Sequence, residues 1–369
     1  MYIPVGFFNT EEGEGRIEAT GGIIYDIHSG SFVWRLHEFE TVDNTTTTDY
    51  NFIVSSGSTS QARILVVAAG GQGSTIGIAN NRPNQPAGGG GGGVLLSNSQ
   101  TITTGSYSVR VGGAPALTSN TAGLSGANSY FQGNGINVTS TGGGGAGYYL
   151  VDGCCPSVII NGKNGGSGGG AEFGVTYGSG ITGQGFRGGS AALYSNVYYG
   201  GGGGGAGQIG GNAPGNASIG GKGGDGKQLR LSPYMTLDWY SGGAGGGGSA
   251  NSGNAGSGSN QTPYARNNMG DRNTYGGGSV STGLSSYRGI VRIMYPLYRY
   301  NPADTQTYQF TCTDSNGCAI QYVNPNGTLV DGELLAYTAT ISKVVPRNSQ
   351  ARITDVTDGT TGGTITKFG

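Results

Sequence analysis

Charge is scarce in this sequence. Asp, Glu, Lys and Arg together make up 11% of its 369 residues, and the formal net charge is −1. An ordinary globular protein carries about a quarter charged residues, and disordered chains are typically strongly charged. The composition therefore excludes a disordered tail and a polyelectrolyte, and it gives no electrostatic case for nucleic acid. Histidine is scarcer still: His28 and His37 are the whole supply. GGSGG at 165–169 fits the pattern of a nucleophile elbow, but no histidine follows His37 to serve as base. GKGGDG at 221–226 fits a dinucleotide fingerprint without a strand–helix unit around it. No Gly-Lys pair is followed by Ser or Thr, which excludes a P-loop, and Thr41 breaks the HExxH pattern that His37 and Glu38 begin. Asp152, Asp225 and Asp238 stand alone, so neither a calcium loop nor a carboxylate pair is visible. The expectation is a protein that is not an enzyme and uses no cofactor and no metal.

Cysteine is also sparse, with four residues, too few for a disulfide scaffold. Cys154 and Cys155 are adjacent, while Cys312 and Cys318 flank TDSNG, a turn sequence that lets them face each other across a hairpin as a disulfide. Long apolar runs are missing. Nothing approaches the ~20 residues needed to span a bilayer, and MYIPVGFFNT lacks the basic start and apolar stretch of a signal peptide. The chain is expected to be made in a cytoplasm, without membrane insertion.

What is abundant is glycine, and it is concentrated. Seven glycines precede residue 70 and seven follow residue 289, so 66 of the 80 fall in the 220 residues between. The stretch PAGGGGGGVLL, 86–96, poses the question most sharply, because similar runs recur at 142–145, 200–205 and 245–248. A structureless insert of this length is improbable inside one domain. The alternative is polyglycine II, a left-handed helix of three residues per turn, like polyproline II. Without side chains, such helices pack on all sides and pair their backbones. From 162 to 189, seven of every ten third positions are glycine, against 13 glycines in all 28 residues.

Strand signals surround this region. IIYDI, SFVWRLHEF, TDYNFIV and ARILVVA come before it, and GIVRIMY closes it. VLLSNSQTITTGSYSVRVGG at 94–113 reads as two strands joined by a polar turn, and SYFQGNGINVTSTGGGG as one strand ending in glycine. The fold class is thus all-β: a β-sandwich-like domain at 23–297 carrying a large inserted polyglycine II bundle at 70–289. An extended leader, 1–22, precedes it and a small C-terminal β domain, 298–369, follows. The inserts between glycine runs, at 146–162, 190–199, 227–241 and 249–275, are rich in aromatics. Tyr148, Tyr149, Tyr198, Tyr199, Tyr234, Trp239, Tyr240, Tyr264 and Tyr275 are the candidate receptor-binding residues, since rigid aromatic rings among Ser, Gly and Asn make good contact loops. Equally, these rings can plug gaps where loops meet the bundle.

The order WRLHEFETVDNTTTTDYNFIV, ARILVVAAGGQG, GGGGGGVLL, SYSVRVGGAPA, NGINVTSTGGGGAG, GGSGGG, GQGFRGGS, YGGGGGGAGQIGGNA, GGKGGDG and YRGIVRIMYP, over 31–297, resembles the glycine-rich domain of bacteriophage tail-fibre and related virion proteins. The three aromatic inserts at 146–162, 227–241 and 249–275 are longer than usual for that family. The resemblance implies a virion structural protein, assembled in the host cytoplasm, with other virion proteins and a host surface protein or glycan as partners. Two readings stand beside host attachment: a passive virion part, such as a head fibre, decoration or baseplate protein, and an ice-binding or extracellular matrix protein. The apolar leader would dock on a virion partner or start a homotrimer.

Overall fold

The computed structural model describes residues 17–29, 32–75, 77–79, 82–116, 122–151, 158–216, 218–231, 238–241, 275, 277–279, 286–299, 305–323, 329–346, 350–355 and 363–368. Among them there is no helix. Strands β1 (Glu18–Thr20), β2 (Ile23–Ser29), β3 (Phe32–Phe39) and β4 (Thr48–Val67) come first. Segment 68–75 then leads to the hairpin β5 (Gly77–Ala79) and β6 (Arg82–Asn84), and segment 85–93 returns to β7 (Val94–Val111). The pair β8 (Ser129–Gly133) and β9 (Ile136–Ser140) follows. Segment 141–147 leads from it to β10 (Tyr148–Val151) and β11 (Val158–Ile160). Next are β12 (Ala192–Tyr194), β13 (Val197–Tyr199), β14 (Lys227–Leu229), β15 (Asp238–Tyr240) and β16 (Ile290–Arg299). The last six are β17 (Thr305–Cys312), β18 (Cys318–Val323), β19 (Leu329–Leu335), β20 (Thr340–Pro346), β21 (Gln350–Asp355) and β22 (Gly363–Phe368).

The chain divides into two compact units, one of residues 17–24 and 36–294, the other holding 25–35 and 295–369. The main sheet has the order β2-β3-β16-β4-β7-β8-β9, with β1 beside β4. Residues 17–20, within the segment read as a leader, already belong to this sheet: Ile17 is buried and Ala19 lies opposite Val54. The first half of β4 alternates between the core and solvent, as a half-covered antiparallel strand does, and Ile64–Val67 are buried throughout because the strand is then covered on both faces. Phe52, Tyr107 and Phe131 form its aromatic centre, with Tyr107 and Phe131 stacked at 5.1 Å. His37 is buried in the same sheet. Its Nδ1 lies 2.7 Å from the Gly21 carbonyl and its ring meets Phe52 edge-on.

Two sequence expectations change here. Residues 94–113 hold one strand instead of two. β7 pairs with β4 from Val94 opposite Val67 to Val111 opposite Thr48, and it absorbs register shifts where Ser99 and Gly105 take positive φ. Conversely, 129–140 is a hairpin, turned by Asn134 and Gly135 at φ 46° and 81°, the Asn-Gly pair that such turns favour.

The glycine segments are buried, and their N–H groups bond outward to other segments in a step of three. Gly88 and Gly91 donate to Gly201 and Gly204, at 3.0 and 2.9 Å. Gly90 and Gly93 donate to Gly144 and Thr141, and Gly89 to Ser279. Likewise Ala68, Gly71 and Ser74 donate to Gly93, Gly90 and Ala87, while Ala69 and Gln72 donate to Ala127 and Leu124. Gly143 and Ala146 reach Ala69 and Gln72, and Gly144 and Gly147 reach Ser167 and Gly170. Each such bond contributes only about 0.5–1.5 kcal/mol net, and ordering glycine is entropically unfavourable. The layer therefore holds by many bonds made together.

In the second unit, sheets β20-β17-β22 and β19-β18-β21 share one core of Phe310, Cys312, Cys318, Ile320, Leu335 and Ile353. Cys312 and Cys318 form a disulfide with Cα atoms 5.6 Å apart. It does not close a hairpin within one sheet. The turn at Asp314–Gly317, with Gly317 at φ 92°, hands the chain from one sheet to the other, so the bond ties the two sheets together.

Candidate functional site

Three hairpins meet, two of them in the inserts at 146–162 and 190–199. The hairpins β5–β6, β10–β11 and β12–β13 are spread over residues 77–199, yet they join into one six-stranded sheet of order β11-β10-β5-β6-β13-β12. The joints are parallel pairs, β10 with β5 and β13 with β6. This sheet lies at the far side of the glycine layer from the main sheet. Segments 68–75, 85–93 and 141–147 each run from a strand of one sheet to a strand of the other. The β12–β13 turn uses Ser195 and Asn196, both at positive φ.

The tyrosines divide into two groups. Tyr148, Tyr198, Tyr199 and Tyr240 are buried, at 5%, 4%, 1% and 2% exposure. They fill space that the side-chain-free layer leaves open: Tyr198 stacks on Phe173 with centroids 3.8 Å apart. Tyr149 is half-buried, and its ring lies over Gly174, where φ is +88° and a Cβ would come within 2.7 Å of the ring. Tyr275 is half-buried as well. Trp239 pairs with Gln228 in the β14–β15 hairpin, its side chain lying outside the described residues, as do Tyr234, Tyr264, Cys154 and Cys155. Among the described residues of the six-stranded sheet, the large apolar side chains exposed are aliphatic: Val158, Ile159 and Ile160 on edge strand β11, and Leu193 on edge strand β12.

Tyr240 and Tyr275 meet elsewhere, in a charged cluster that sequence patterns gave no hint of. Arg292 on β16 donates to Glu38 on β3 at 2.6 Å and to the Tyr240 hydroxyl at 2.8 Å, and its guanidinium lies 5.7 Å from the Tyr275 ring centre. The Tyr275 hydroxyl donates to Glu40, which also takes a bond from Arg288. Burial pulls the Arg292 guanidinium down, but Tyr240, Glu38 and Tyr275 outweigh it and hold it above its ordinary range. Burial, then the bond to Glu40, pushes the Tyr275 phenol up. Ser241 N–H also donates to the Tyr275 carbonyl at 3.0 Å, so the backbone on the two sides of 242–274 is joined at this cluster.

A second buried carboxyl, Glu172, anchors the six-stranded sheet to the glycine layer. It accepts from the Ser74 hydroxyl at 2.6 Å and from the Tyr149 N–H at 3.0 Å, and burial raises its pKa well above the usual carboxylate range. Among the described residues no group of His, Cys, Asp and Glu is arranged to hold a metal, and no helix is long and apolar enough to cross a membrane.

No curated protein matches the chain. Residues 45–296 match the family described as glycine-rich domain. That span runs from β4 into β16 and takes in the glycine layer and all three hairpins of the six-stranded sheet, more than half of the sequence. The chain belongs to the glycine-rich domain family.

Proposed function

We propose that this chain is a virion structural protein, a tail-fibre or adhesin component, that meets a host cell surface through the inserts at the end of a polyglycine II bundle. The bundle is carried by a sandwich-like β domain and followed by a small C-terminal β domain. The step of three in the backbone bonds supports the helix type, because three residues per turn send successive N–H groups to three neighbours. At about 3.1 Å per residue, such segments make a stiff spacer about 22–28 Å thick.

One observation carries the host-contact reading: three hairpins separated in sequence, two of them from the aromatic inserts, end in a single sheet beyond the glycine layer, with apolar side chains exposed on both its edges. An exposed apolar edge is a liability unless something binds it. The apolar start of the chain would dock on another virion protein or begin a homotrimer.

Adsorption to a panel of bacterial cells tests this. The double variant Ile159→Ser, Leu193→Ser is expected to bind at least tenfold less than wild type while melting within a few degrees of it. Both side chains are exposed, at 58% and 39%, where polar substitution changes stability by about 0.5 kcal/mol or less. A wild-type protein that is folded and binds none of the cells would instead make the chain a passive spacer of the virion.

A further inference from the structure

A groove of about 800 Å³ opens beside the glycine segments and is lined by Ser179, Thr182, Phe186, Arg187, Ile209 and Lys227 among others. Its size is that of a ligand cleft, but its construction is unusual. The backbone of Phe186 is locked into the layer, its N–H donating to Gly205 and its carbonyl accepting from Gly168. Phe186 nevertheless stands 44% exposed, and Ile209, which lines the same groove, 46%. Apolar rings turned outward from a layer with no shortage of internal gaps are not there to fill the core.

Two cations flank the ring, Arg187 and Lys227, and among the described residues lining the groove there is no carboxylate. The Arg187 guanidinium is held in place by the Tyr177 ring, 4.6 Å from its centre, and by one bond to the Gly188 carbonyl at 2.8 Å. The rest of the lining is Gly180, Gly183, Gly185, Ala206 and Gly207, with the Ser179 and Thr182 hydroxyls among them. The Gly185 and Gly207 amides are already bonded, to Ile181 and Asp225, so the hydroxyls are the neutral polar groups the groove offers. A flat apolar ring, paired cations and hydroxyls together suit a ligand with a C–H face, carboxylates and hydroxyls.

We propose that this groove binds an acidic oligosaccharide, a chain of sugar rings bearing carboxylates. One ring stacks on Phe186, carboxylates of the chain pair with both Arg187 and Lys227, and its hydroxyls bond to Ser179 and Thr182. This goes beyond the host-contact reading and uses different residues.

The test uses the full chain and two probes of equal length, tetragalacturonate and neutral maltotetraose, with binding measured by calorimetry. Tetragalacturonate is expected to bind at least tenfold more tightly than maltotetraose and to weaken as salt rises. Phe186→Ala and Lys227→Gln are each expected to weaken it at least fivefold. Both side chains leave the layer, so both variants should fold, and the lysine variant decides the matter if the other does not. Absence of binding, binding untouched by Lys227→Gln, or equal competition by a poly-glutamate peptide would overturn the proposal. Cell adsorption separates the two readings. Wild-type adsorption without tetragalacturonate binding removes the groove and keeps host contact, whereas tetragalacturonate binding without adsorption does the reverse.

Discussion

Gly90→Val is expected to abolish folding, or to destabilise the protein by at least about 3 kcal/mol. A Cβ at this position would lie 2.3 Å from the Ser167 carbonyl oxygen and 2.7 Å from that of Gly168, both backbone atoms. The segment has nowhere to retreat. A Cβ on Gly89 would meet the Gly71 oxygen at 2.2 Å, one on Gly91 the Ser241 oxygen at 2.4 Å, and one on Gly92 the Ala68 oxygen at 2.0 Å. A shift away from one neighbour drives the chain into another. The bonds from Gly90 to Gly144 and from Gly71 to Gly90 would break, and each buried group left unpaired costs about 1–3 kcal/mol. Typical total stability is only about 5–15 kcal/mol. The matched control is Gly215→Ala. This glycine is exposed, and the nearest atom to its added methyl is the Ala192 Cβ at 3.9 Å. That change should be neutral, or stabilise by about 0.4–1 kcal/mol through the unfolded state. Denaturant unfolding of both variants reads the contrast, and a Gly90→Val protein as stable as wild type would make the run a linker.

Arg292→Met should destabilise by about 3–5 kcal/mol, the range for removing one member of a buried ion pair. Arg292 and Glu38 are each 13% exposed, and the guanidinium also holds the Tyr240 hydroxyl. Methionine fills the space but leaves the Glu38 carboxylate and the Tyr240 hydroxyl without that donor. Adding Glu38→Gln should recover part of the loss, so that the double variant is more stable than the sum of the single effects predicts. The same denaturant measurement checks it. A loss under about 1 kcal/mol would mean that the cluster behaves as a surface pair, screened by water.

The strands that flank the glycine layer were legible because their chemistry is ordinary. ARILVVA, VLL and GIVRIMY are β-branched and apolar, and they are the strand ends where Val67 meets Val94 and Ile290. The layer between the sheets was only half legible. Glycine has no side chain, so its partners are chosen by backbone geometry and leave no residue pattern beyond a weak period of three. The polar middle of 94–113 looked like a turn, yet it stays paired with β4, Thr103 opposite Ser58, Ile102 opposite Thr59 and Gln100 opposite Ala62, and Ile102 and Ala62 are buried there. The Asn134-Gly135 turn carried a readable signal that the surrounding glycines masked. Of the two readings of the tyrosines, burial fits gap-filling for four: a body without side chains leaves gaps that large rings can fill, and Tyr148, Tyr198, Tyr199 and Tyr240 are buried. The Phe186 groove had no signature at all, since GQGFRGG acquires its neighbours from 206–209 and 227 only on folding.

The central claim is that the glycine runs are packed structure joined by backbone bonds between segments. Amide hydrogen exchange of the native protein over Gly88–Gly93 tests it most directly. The bonds from these residues to Gly201, Ser279, Gly144, Gly204 and Thr141 predict exchange slowed to the rate set by global unfolding, as in the centre of β4. Exchange of these amides at the rate of an unstructured peptide would contradict the account.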